Sequence, residues 1–272
     1  MNSVACRGVP ARIPTRSDDL ITCQWPNPNA RLRVFCFPFA GGGASTFNTW
    51  AEELPPDIRA QSEFCAIQLP GRESNMRTAP FNSLALMLEA LLPAIERYSQ
   101  APFVFLGHSM GALVSFELAR MMRRRGMPCP AHMVLSGHRA PQFPDRLPPI
   151  HELPDPEFVA KLRYFGGTPE AVLQNPELME LLLPVLRADF AVCESYVYAS
   201  EEPLGCPITA FGGNDDVQVS REELAGWHAQ TSNSFSMHIF PGAHFFIQSA
   251  HVLVLRVLAQ DLKQVLRRLP SE

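Results

Sequence analysis

The segment Phe103-Val104-Phe105-Leu106-Gly107-His108-Ser109-Met110-Gly111 constrains the fold more than any other part of the chain. An apolar run rich in Phe and Val reads as a buried strand, and it passes directly into G-x-S-x-G and then a helical pattern. A serine at the centre of such a turn has neighbours so close that side chains would collide, which is why glycine stands on both flanks. The turn pushes the serine Oγ out above the end of the strand. The following helix aims its N-terminus at the reacting centre, where negative charge will develop. This context predicts a nucleophilic serine, Ser109, at the carboxyl edge of a sheet.

The rest of the chain keeps the same rhythm. Short apolar runs occur at Val34–Phe37, Phe64–Leu69, Phe103–Leu106, Met133–Leu135, Ile208–Phe211 and Met237–Phe240, with helix-length segments at 83–98, 110–125 and 247–268. Continuous apolar runs of this length fit strands covered on both faces, and their alternation with helices predicts an α/β fold with a mostly parallel, doubly wound sheet. One stretch breaks the pattern. Pro141, Pro144, Pro148, Pro149, Pro154 and Pro156 follow one another, and the text is then helical to about Tyr198. Leu178, Leu181, Leu182, Val185, Leu186 and Phe190 fall on one predicted helix face. An insertion at about 141–205 between two sheet strands is expected to form a helical lid, the alternative being helices that simply cover a sheet face. Residues 1–19 are polar and dotted with Arg, without an apolar run, and read as a flexible leader to a single domain over 20–272.

Composition narrows the function classes. With 46% hydrophobic and 18% charged residues the chain can bury a core, so disorder is excluded. A net charge of −4 leaves no basic footprint for nucleic acid. No apolar run approaches the roughly 18 residues that span a bilayer, so no membrane partner is expected. Seven scattered cysteines, with no C-x-x-C pair, read as free thiols in a reducing, cytoplasmic compartment. Arg123, Arg124 and Arg125 before Gly126 suit a solvated helix C-terminus, or else a docking patch for an acidic partner.

A serine at its free pKa needs a base, normally histidine, held by an acid. In a strand–turn–helix architecture the chain order is Ser, acid, His. Among the late histidines, His228 sits in a helical pattern, His238 alternates inside a strand and His251 lies in the final helix. His244 alone occupies a loop directly after a strand and before a helix. The acid belongs on the loop after Ile208–Phe211, which offers both Asp215 and Asp216. Two backbone N–H groups must stabilise the oxyanion: that of Met110, next to the nucleophile, and that of Ala40, in the glycine-rich loop after the first strand. Gly41-Gly42-Gly43 is not followed by G-K-[ST], so phosphate binding is not expected there.

Phe37-Pro-Phe-Ala-Gly-Gly-Gly43, Leu69-Pro-Gly-Arg72, Gly107-His-Ser-Met-Gly111, Gly213-Asn-Asp-Asp216 and Gly242-Ala-His-Phe-Phe246 together resemble the type II thioesterases of polyketide and nonribosomal peptide synthesis. The resemblance runs from about Cys23 to Leu266, with Leu186-Arg-Ala-Asp-Phe190 and Tyr196 in the region of the family's lid. Gly43 and Ala243 depart from the family's usual Ser and Gly, and neither position has a side-chain role. The resemblance implies an α/β-hydrolase fold and hydrolysis of acyl groups from the phosphopantetheine arm of acyl or peptidyl carrier proteins. It implies an acyl-enzyme on Ser109, with no metal and no bound cofactor. Phe39, Met110, Phe245 and the lid's Leu/Phe face would line the acyl site, and Leu69–Arg72 would shape its wall. In this fold the acid often sits in G-x-x-D-x-x-V, which Gly213, Asp216 and Val219 match, so Asp216 is expected to orient His244. The rival readings are a carboxylesterase or lipase on the same fold, a chain-releasing fatty acyl thioesterase, and an idle binding protein.

Overall fold

Each of the six apolar runs is a strand in the computed structural model, which describes residues 20–270; the predicted leader at 1–19 lies outside the described residues. The strands are β1 (Ile21–Thr22), β2 (Leu32–Phe37), β3 (Ser62–Ile67), β4 (Phe103–His108), β5 (His132–Ser136), β6 (Ile208–Gly213) and β7 (Phe235–Phe240). They lie in one sheet in the order β1-β3-β2-β4-β5-β6-β7. All neighbours are parallel except β1, which pairs antiparallel with β3 through Ile21↔Ile67 and Thr22↔Ala66. That two-residue edge strand is absent from the sequence reading, because it is too short to show a period.

The helices on the amino-terminal half are α1 (Trp50–Glu53), α2 (Pro56–Arg59), α3 (Leu84–Tyr98) and α4 (Met110–Arg124). The insertion carries α5 (Asp155–Phe165), α6 (Glu170–Leu173) and α7 (Pro176–Glu194), and the chain closes with α8 (Arg221–Ala225), α9 (Phe246–Ser249) and α10 (His251–Arg268). The segment expected as one helix over 247–268 is two, because Ala250 leaves helical geometry at φ −112° and ψ 27°.

Side chains alternate across the sheet, so each strand feeds two cores. Phe35, Phe37, Phe103, Phe105, Met133 and Leu135 pack with α3 and α4. Val34, Cys36, Val104, Leu106, Val134 and Phe211 pack with α1, α2 and α10 on the other face. Both faces are thereby covered, which is why the strands read as unbroken apolar runs. The register brings Phe37 beside Gly107, His108 beside Ser136, and Ser136 beside Phe211, so the carboxyl ends of the central strands form one rim.

The insertion has a third, separate core of Ile150, Phe158, Leu162, Leu173, Met179 and Leu186. Its helix α7 buries most of the expected face: Val185 and Leu186 are buried, and Leu182 and Phe190 pack against the lid core. Leu178 and Leu181 are exposed, at 41% and 58%, whereas Met179, Val185, Leu186, Asp189 and Val192 are buried. The expected face fails only at Leu178 and Leu181, in the first turns of the helix. The arginines that end α4 are neither bare nor a free patch: Arg123 and Arg124 both pair with Glu201, at 2.7 and 2.6 Å, and Arg125 pairs with Glu89 at 2.5 Å. Arg123 and Arg124 fasten the chain returning from the insertion onto α4, and Arg125 ties the end of α4 to α3.

A small core joined to the body through loops opens more readily than a sheet buried on both sides. Amides across 155–194 are therefore expected to exchange with deuterium faster than those of Phe103–His108. Equal protection of the two segments, read by exchange mass spectrometry, would contradict this.

Candidate active site

Ser109 stands at the head of α4 with φ 54° and ψ −119°, in a region that non-glycine residues avoid. Its N–H donates to the Ser136 carbonyl at 2.7 Å, which ties the turn to the neighbouring strand. The flanking glycines are dictated by space. A Cβ on Gly107 would lie 2.2 Å from the Gly111 oxygen, and a Cβ on Gly111 would lie 2.1 Å from the Phe37 oxygen. The turn therefore packs backbone on backbone, and no larger residue fits at either flank.

Three loops at the sheet rim bring the predicted side chains together. His244 Nε2 lies 2.9 Å from Ser109 Oγ, and His244 Nδ1 lies 2.8 Å from Asp216 Oδ2. The side chains of His244 and Asp216 are 6% and 1% exposed, so this contact is shielded from water. Asp216 Oδ1 also accepts from the Gln218 N–H at 2.8 Å, which restrains the carboxylate from rotating. Asp215 is exposed, and its N–H donates to the Gly242 carbonyl at 3.0 Å. The other late histidines lie elsewhere: His238 in β7, His228 in a 3₁₀ turn, and His251 at the start of α10.

The two predicted oxyanion donors belong to different elements. Met110 opens α4, where the helix dipole is positive. Ala40 lies in the turn Phe39-Ala40-Gly41-Gly42, closed by the Gly42 N–H donating to the Phe39 carbonyl at 2.8 Å. Neither amide has an acceptor among the described residues, so both are free to meet a developing negative charge. Ala40, Ser109, Met110 and His244 share the wall of a cavity of about 130 Å³ with Phe39 and Phe245. Leu162, Phe165, Leu186 and Phe190 of the insertion close its far side. The expected Leu/Phe face is thus present, but as Leu186 and Phe190 rather than Leu178 and Leu181. A second correction concerns Leu69–Arg72: none of the four lines this cavity, because the turn lies behind the Ala40 loop and not beside it.

Two further residues organise the site without having been singled out in the sequence. Asn214 Oδ1 accepts from the Gly242 N–H at 2.7 Å, joining the acid loop to the histidine loop. His108 is buried under the site, its ring 5.3 Å from that of His244, with Nδ1 2.9 Å from Ser136 Oγ. Burial pushes His108 well below the ordinary imidazole range, and the neighbouring His244 pushes it the same way. It stays neutral, and so places no competing positive charge against His244. His138, on the cavity wall, is likewise lowered to about 4 by burial and by Arg139. Asn214 and His108 both stand inside quoted motifs, Gly213-Asn-Asp-Asp216 and Gly107-His-Ser-Met-Gly111, but their contacts are made with distant segments.

A Ser–His–carboxylate chain with two amides on one side is the arrangement that performs acyl transfer. The thioesterase-domain family profile matches residues 32–262. The chain belongs to the thioesterase family. Over 240 residues this thioesterase is 46% identical to the gramicidin S biosynthesis protein GrsT of Aneurinibacillus migulanus, an alignment covering 88% of this chain and 92% of that one. It superposes on RedJ, the thioesterase of the prodiginine pathway of Streptomyces coelicolor, with a TM-score of 0.80 at 35% identity, over 86% of this chain and 92% of RedJ. With BorB, a type II thioesterase from the borrelidin biosynthetic cluster, the TM-score is 0.81 at 32% identity, over 91% and 99% of the two chains. The thioesterase is thus similar to the type II enzymes of polyketide and nonribosomal peptide pathways, and it shares their α/β-hydrolase fold.

Among the described residues, no helix of the thioesterase is long and apolar enough to cross a membrane. Its six described cysteines are free thiols.

Proposed function

We propose that this thioesterase removes acyl groups from the phosphopantetheine arm of acyl or peptidyl carrier proteins, and so frees a modular synthase stalled on a wrong unit. The observation that carries this reading is the unbroken contact from Asp216 through His244 to Ser109, at 2.8 and 2.9 Å, under an apolar cavity roofed by the insertion. In the first step Ser109 Oγ attacks the thioester carbonyl while His244 Nε2 takes its proton. The oxyanion accepts from the N–H groups of Met110 and Ala40. Collapse breaks the C–S bond, and the leaving thiol takes the proton from His244. Water, deprotonated by His244, then attacks the acyl-serine; the ester C–O bond breaks, His244 returns the proton to Ser109 Oγ, and the acid is released. Asp216 holds the imidazole with its Nδ1 proton inward and stabilises the imidazolium.

Nothing in this sequence of steps requires a metal or a cofactor; the pantetheine arm arrives with the substrate. The α5–α7 insertion acts as the lid, its Leu162, Phe165, Leu186 and Phe190 presenting apolar surface to the acyl chain. The free thiols and the carrier-bound substrate fit work in the cytoplasm, beside the synthase.

A thiolate leaves more readily than an alkoxide, and the arm adds binding energy that a simple ester lacks. The enzyme is therefore expected to show a higher kcat/KM on carrier-bound or pantetheine thioesters than on the oxygen ester of the same acyl chain. The assay compares the two at matched chain length. Comparable values would place the enzyme with the carboxylesterases.

A further inference from the structure

Arg72 and Asp189 stand 117 residues apart and form a two-pronged ion pair, Nη1 to Oδ2 at 2.7 Å and Nη2 to Oδ1 at 2.8 Å. Both side chains are buried, 5% and 0% exposed. The pair grips the turn that carries Ala40. Asp189 Oδ2 also accepts from the Gly41 N–H at 2.7 Å, and Arg72 Nη1 also donates to the Gly42 carbonyl at 3.0 Å. Gly41 has φ +80°, the left-handed value that the third residue of a type II turn requires. The insertion helix also presses on it directly, since a Cβ on Gly41 would lie 2.6 Å from Leu186 Cδ2. Leu186 and Asp189 are three residues apart on α7 and so share one face. One carries the apolar wall of the cavity, and the other carries the charge that holds the turn.

We infer that Arg72 and Asp189 are positioning residues which fix the Ala40 N–H toward the oxyanion, so that the oxyanion site is complete only while the lid helix α7 is seated. The Ala40 turn is held at the Gly41 N–H by the lid and at the Gly42 carbonyl by the Leu69–Arg72 turn. Ala40's own amide has no acceptor among the described residues, and Ala40 lines the cavity beside Ser109. When α7 lifts to admit an acyl chain, Gly41 loses its acceptor and the turn its clamp. Hydrolysis thereby waits for the lid to close over a bound substrate, and water is kept from a half-open site. The inference rests on the reading of Ser109 as nucleophile and Ala40 as oxyanion donor.

The test uses the full chain and two forms that keep the buried volume: Asp189→Asn, and the paired Arg72→Met with Asp189→Leu, which leaves no unpaired charge. Each is assayed on an acyl N-acetylcysteamine thioester and titrated with a trifluoromethyl ketone of the same chain, which adds Ser109 as a tetrahedral oxyanion. Loss of one oxyanion donor lowers kcat roughly 10²-fold to 10³-fold. The expected result is a kcat loss approaching that range with KM changed less than about threefold, and a parallel weakening of ketone binding. Arg72→Lys, which still pairs with Asp189 and leaves the Gly41 bond intact, should recover part of kcat. A folded variant with lowered thermal stability but kcat and ketone affinity within about threefold of the parent overturns the inference, as does a loss confined to KM. Activity surviving in Ser109→Ala, assayed alongside, would instead overturn the reading on which the inference rests.

Discussion

Replacing Ser109 by alanine is expected to lower thioester hydrolysis by on the order of 10³-fold or more while leaving the protein folded. The expectation follows from geometry. Ser109 Oγ is the atom 2.9 Å from His244 Nε2, so its removal leaves the base with nothing to activate except water. The two free amides and the cavity remain, and they preserve some binding and oxyanion stabilisation, which sets the floor of residual activity. Stability should change little, because the turn is held by its backbone, through the Ser109 N–H on the Ser136 carbonyl and by the packing of Gly107 on Gly111. The measurement is steady-state hydrolysis of one acyl thioester by each purified protein, with a thermal melt alongside. A variant that folds and keeps more than about a tenth of the parent rate would eliminate the acyl-enzyme.

The adjacent aspartates should behave in opposite ways. Asp216→Asn is expected to lower kcat by roughly 10⁴, because an amide in that position offers a donor to Nδ1 and selects the tautomer that cannot take the Ser109 proton. Asp216 spends both oxygens on this task, one on His244 and one on the Gln218 N–H, so its orientation is locked before substrate arrives. Asp215→Asn should stay within a few-fold of the parent. Its side chain is exposed, and its structural bond to the Gly242 carbonyl uses the backbone N–H, which the substitution leaves in place. The pair is assayed on one thioester after both variants are shown to fold. An inactive Asp215→Asn beside an active Asp216→Asn would move the acid by one residue.

These expectations rest unevenly on sequence and structure. The elbow, the six strands and the late histidine were legible because each is a local pattern with a local cause. Glycines at 107 and 111 answer a backbone clash, and apolar runs answer burial on both sheet faces. The choice of Asp216 over Asp215 was readable only through the frame of Gly213 and Val219. The distance of 2.8 Å to His244 supplies the physical contact that the frame lacks.

The polar contact that α7 makes was not legible. The apolar period marks the buried side at Val185 and Leu186 but gives no sign of Asp189 on that same side. That side also carries a polar contact, Asp189 on Arg72, between segments separated by 117 residues. No local pattern carries such a pair, because a buried charge is acceptable only where its partner and the backbone donors around it have already been assembled. The chemistry of the chain was therefore written in short stretches of sequence. Which carbonyls and amides those stretches hold in place, and how the lid is tied to them, was decided by packing between distant segments, where the energy of a buried ion pair depends on everything that surrounds it.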